Sequence, residues 1–89
     1  MEDIEQYKSL ISDIIAKQGV ILGPEIAMLK ARGVPGLTLD AAGKATNIQG
    51  DPEAVLKKLI DQYVELSGEI VKIALASVFQ KYPSIKKLE

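Results

Sequence analysis

Apolar positions fall along this chain in four helical stripes separated by one short alternating patch. Between positions 3 and 18, Ile4, Tyr7, Leu10, Ile11, Ile14 and Ile15 return at steps of three and four, the spacing of one helix face. Glu2, Asp3, Glu5 and Gln6 stand on or near the first turn, where acidic groups suit the positive end of the helix dipole. Gly19 is expected to cap or kink this helix. Gly23-Pro24 restarts the chain: Pro24 suits the first position of a helix over 24–32, with Glu25 beside it. Gly33 and then Pro35-Gly36 end that helix.

The rhythm changes over 37–49. Leu37 and Leu39 alternate with Thr38 and Asp40, and Thr46 and Ile48 follow a turn. "DAAGK" reads as a type I turn with Gly43 in the left-handed position, closing a bulged hairpin. Pairing Asp40 with Lys44 puts Ile48 on the face opposite the two leucines.

The next start signal is the clearest in the chain. Asp51 is a good N-cap, Pro52 a good first residue and Glu53 a favourable first-turn acid. Val55, Leu56, Leu59, Ile60, Tyr63, Val64 and Leu66 then mark a helix over 52–67. Ser67-Gly68 breaks or bends it, and a further helix runs over 69–82 until Pro83 stops it. Unbroken, residues 52 to 82 would span about 46 Å at ~1.5 Å per residue, long for a domain of this size. Residues 83–89 form a tail, and its final Leu88-Glu89 reads as a cloning remnant. "LGPEIAMLKA" and "LSGEIVKIALA" echo each other, which is read as convergence of helix-start signals.

The expected architecture is therefore mainly α with a small β-hairpin (α+β). A single domain over 1–89 has the order helix–helix–hairpin–helix–helix and forms a compact bundle. Its last helix poses a problem of cover, because "EIVKIALASVF" is apolar nearly all the way round. A helix of that kind is buried on several sides or spans a membrane. No apolar run here approaches the ~20 residues of a span. Small chains often complete their cores by oligomerising, most often as two-fold dimers. Val71, Leu75, Val78 and Phe79 are the expected dimer or core face: homodimerisation through them is favoured over a monomeric bundle that covers this helix by itself.

Composition narrows the chemistry. The 89 residues include neither Cys nor His, so disulfides and Cys-based metal frameworks are excluded. The commonest general base and metal ligand is also missing. The absence of cysteine fits a reducing cytoplasm, the expected location. A net charge of −1 gives no general pull toward nucleic acid or anionic membrane. Lys57, Lys58, Lys72, Lys81, Lys86 and Lys87 are scattered, Arg32 is the only arginine and no aromatics are interleaved, a poor nucleic-acid pattern. The loop after Asp40 fails as a calcium loop because Ala42 occupies its third position.

Two weak constellations remain. Gly23 precedes a helix start whose amides could hold an anion, against Pro24's missing N–H and the charge of Glu25. Glu25 and Glu69 hold similar places at helix starts and, buried together, would form a carboxylate pair; complementing helix dipoles is the plainer role. Ser9 and Ser12 read as solvated helix positions. No cofactor is expected. The leading expectation is a non-catalytic interaction and dimerisation module, binding its own copy and a further protein. A carrier or sensor for a small apolar ligand is the alternative. A nucleic-acid-binding regulator, or an enzyme built on carboxylates and lysine, ranks below both.

Overall fold

The computed structural model describes residues 4–82; the first three residues and the 83–89 tail, with its terminal Leu88-Glu89, lie outside the described part. The element order is α1 (Ile4–Leu22), α2 (Pro24–Arg32), β1 (Leu37–Leu39), β2 (Ala45–Ile48), α3 (Pro52–Ser67) and α4 (Ile70–Phe79). This is the expected α+β order of four helices around one antiparallel hairpin. The core is aliphatic. Leu10, Ile11 and Ile14 from α1, Ala27 and Ala31 from α2, Leu56 and Leu59 from α3, and Val71 and Leu75 from α4 are all buried. Tyr63 is the largest fully buried side chain, and its hydroxyl donates to the Ala27 carbonyl at 2.7 Å, tying α3 to the first turns of α2.

Several boundaries move. α1 runs through Gly19 to Leu22 and does not end near 18. A glycine costs a helix roughly 1 kcal/mol relative to alanine, which weakens the helix at that point without ending it. The Gly23 N–H still donates to the Gly19 carbonyl at 3.1 Å, and the chain turns only at Gly23, at φ +96°. α4 is shorter than the expected 69–82. Past Phe79 the Lys81 and Tyr82 amides donate to the carbonyls of Val78 and Phe79, three residues back, so the chain tightens into turns. Tyr82 precedes a proline, which disfavours helical backbone there. α3 and α4 are separate helices: Gly68 stands between them at φ +70°, ψ −156°, its N–H capping the Val64 carbonyl at 2.7 Å.

The hairpin has its turn as read and its register corrected. Asp40 Oδ1 accepts from the Ala42 and Lys44 amides at 2.9 Å, and the Asp40 amide donates to the Lys44 carbonyl at 2.9 Å. Gly43 sits at φ +86°, the left-handed position that the turn needs. Its bare Cα also lies against α2, where a Cβ would come within 2.7 Å of Met28 Sδ. Leu39 faces Ala45, but Thr38 faces Asn47 and Leu37 faces Ile48, because the strand bulges at Thr46. That extra residue reverses the parity, so Leu37 and Ile48 are buried together.

Candidate functional site: an apolar end of the bundle

Helix α4 carries two stripes with different fates. Val71, Leu75, Val78 and Phe79 recur at steps of four, three and one and lie buried in the core of their own chain. Of the two roles expected for this set, dimer face or core face, it fills the core one within the single chain, where its cover comes from α1 and α3, the helices that pack on α4. The other stripe, Ile70, Ile73 and Ser77 with Ala74 half-buried beside them, looks outward. Ile70 is 61% exposed and Ile73 76%. A β-branched apolar side chain this exposed finds no cover in its own chain.

Those two residues belong to a larger set. Val20 is 86% exposed, Leu29 69%, and Ile21, Ile26 and Leu66 are close to half exposed. The topology gathers most of these at one end. α1 finishes and α2 begins around Gly23, while α3 finishes and α4 begins around Gly68. The Tyr63–Ala27 hydrogen bond ties the last turns of α3 to the first of α2. Val20 shares a shallow groove with Ser77 and Val78, which ties the end of α1 to α4. The Gly23 and Gly68 junctions therefore lie toward one end, with Ile21, Ile26, Leu66, Ile70 and Ile73 near them along the chain, while Val20 lies beside the last turns of α4.

The weak candidates do not assemble. Glu25 is exposed on the first turn of α2. Glu69 is exposed at the head of α4 and pairs with Lys72 at 3.4 Å. The two carboxylates are solvated, so no buried pair forms, because the charge of each is best placed in water at a helix start. Gly23 leads into α2 with no side-chain cap. Among the described residues no three acidic side chains converge as metal ligands would.

Two polar features were missed in the sequence. Ser12 is half-buried: its hydroxyl donates to the Lys8 carbonyl at 2.7 Å and accepts from the Ala45 amide at 2.9 Å. It ties α1 to β2, which corrects its reading as a solvated position. Tyr82 donates to Asp13 Oδ2 at 2.7 Å and fastens the end of the described chain to α1. Burial and the Asp13 carboxylate push the Tyr82 pKa up to about 12, with the Ser9 hydroxyl acting in the opposite sense. Burial alone raises that of Tyr63 further.

A groove of about 480 Å³ runs beside α1, walled by Ile15, Val20, Pro24 and Met28 and by the hairpin tip at Gly43, with Asp13 toward one end. Its size is within the range of ligand pockets, but it lies open along one side where such pockets enclose most of their ligand. Comparison with protein-family models, with curated proteins and with solved structures finds no match.

Proposed function

We propose that this chain is a non-catalytic interaction module that works by self-association through the apolar end of its bundle. The observation that carries the reading is the outward stripe of α4, Ile70 and Ile73, left exposed together with Leu66 at the end of α3 and with Ile21 and Ile26 around the α1–α2 junction. At roughly 100 Å² apiece, Ile21, Ile26, Leu66, Ile70 and Ile73 offer about 500 Å² per copy, the size of a weak or transient interface. The side chains concerned are aliphatic, which suits a partner surface of the same kind and gives charged ligands little to recognise. The lack of histidine and cysteine removes the commonest catalytic side chains, in keeping with a binding role. The same composition suits a reducing cytoplasm.

The test is solution mass by light scattering across a wide concentration range, for the wild type and for Ile73→Glu. Ile73 supports no core packing, so the variant keeps its circular dichroism spectrum. The wild type is expected to be a dimer and the variant a monomer. Monomers for both would overturn the reading.

A further inference from the structure

The stripe left bare on α4 is the continuation of the stripe buried by α3. Leu56, Leu59, Tyr63, Leu66, Ile70 and Ile73 follow one another at steps of three, four, three, four and three, the spacing of a coiled-coil seam, straight through Gly68. In the folded chain the seam is cut between Tyr63 and Leu66, in the last turn of α3 just ahead of Gly68. Leu56, Leu59 and Tyr63 are fully buried, whereas Leu66, Ile70 and Ile73 are exposed. The sequence on both sides of Gly68 thus suits one helix, and the core of a single chain uses two.

We infer that α4 exchanges between two copies of this chain by straightening at Gly68, which joins α3 and α4 into one helix and sets Leu66, Ile70 and Ile73 against their counterparts in the second copy. This rests on self-association as proposed above and supplies its route. Three features of the chain single out a second copy as the occupant. A continuous helix from Pro52 to Phe79 would be about 42 Å long, beyond the 33 Å longest dimension of the folded chain, so its far half must leave the parent bundle. That half carries a full core face, Val71, Leu75, Val78 and Phe79, whose complementary slot is built by α1 and α3 of this same sequence. The exchange conserves every core contact of α4 and adds the seam, the usual economy of a domain swap.

The hinge is built for it. Only Gly68 and Glu69 separate the two helices. Gly68 lies at φ +70°, ψ −156°, a region reserved almost wholly to glycine, and a Cβ there would touch nothing within 4 Å. An alanine at 68 would therefore disfavour the closed turn by backbone conformation alone and favour the straight helix. The other junction, at Gly23, does not have this freedom. Pro24 follows it, lacks an N–H and disfavours helical backbone at the residue before it.

Gly68→Ala tests the hinge, and a thiol cross-link tests the exchange. Gly68→Ala should shift the monomer–dimer equilibrium toward dimer by at least about twenty-five-fold, because the helix preference of alanine gives roughly fivefold per chain and two chains straighten. Ala16 and Ser77 line the same groove between α1 and α4, and the natural chain has no thiol to interfere. A16C/S77C treated with a short bismaleimide should give covalent dimers on a denaturing gel, in the Gly68→Ala background and in the otherwise natural chain at high concentration, well beyond any formed by S77C alone, whose thiol lies on the outward stripe of α4. The second sample keeps the test valid should Gly68→Ala fail to fold. A dimer by light scattering whose cross-links all lie within one chain would overturn the exchange and leave self-association standing. A monomer at every concentration would overturn both.

Discussion

Gln18 is the last residue of α1's inward stripe, four residues after Ile14 and seven after Ile11. It is fully buried, and neither its amide oxygen nor its nitrogen has a hydrogen-bond partner among the described residues. An unpaired buried amide costs roughly 1–3 kcal/mol per group, because the water it gave up is not replaced. Methionine has a similar length and no such debt. Gln18→Met is expected to raise stability by about 2 kcal/mol, read as a higher denaturant midpoint with an unchanged slope. Tyr82 gives a second prediction. Its folded pKa of about 12 stands above the usual 10.0, so the fold favours the neutral phenol. Its contribution is complete below pH 10 and is lost as pH rises through 12; Tyr63 acts in the same direction. Stability should fall across that alkaline window, and Tyr82→Phe should flatten part of the fall, measured by chemical denaturation at stepped pH. A variant as steep as the wild type would rule out Tyr82 as a source.

Elements are held in this small protein by few polar ties. The hairpin has two short strands and would be barely stable in water on its own. Its apolar residues Leu37, Ala45 and Ile48 face the core, and Ser12 supplies a directed bond from α1 to the Ala45 amide. Ser12→Ala leaves that amide unpaired at a half-buried site and should cost about 1–2 kcal/mol, with the earliest amide-hydrogen exchange appearing in β1 and β2. Uniform loss of protection through the helices would show that the tie is not local. At the element scale most of the plan was legible beforehand. Asp51 caps α3 as its type and place implied, accepting from the Glu53 amide at 3.1 Å. The Asp40–Gly43 turn also follows from local chemistry. The bulge at Thr46 was not legible, because alternation over four residues does not reveal one extra residue.

The whole molecule buries one aliphatic core and leaves one end of its bundle apolar. If that end is covered by a second copy, stability becomes linked to concentration by mass action. The thermal midpoint should then rise with protein concentration in the wild type and stay level in Ile73→Glu. Apolar burial also sets the response to salt: an aliphatic interface strengthens in sulfate, whereas one held by ion pairs weakens. Two surface ion pairs, Lys8–Glu5 and Lys72–Glu69, span one helical turn each and add little to either effect.

The sequence by itself determined the four helices, the hairpin, the turn chemistry and the surplus of apolar surface on the last helix. Each of these is encoded within a few residues, in a cap, a proline, a glycine or a period of three to four. The tertiary structure decided which side of that last helix is surplus. Two apolar stripes of nearly equal quality run along α4, and periodicity cannot rank them; packing against α1 and α3 took Val71, Leu75, Val78 and Phe79 and left Ile70 and Ile73 outside. The same packing placed Gln18 in the core and gave Ser12 its partner across thirty-three residues of sequence. Local pattern records what a segment can bury, and only the meeting of distant segments settles what it does bury.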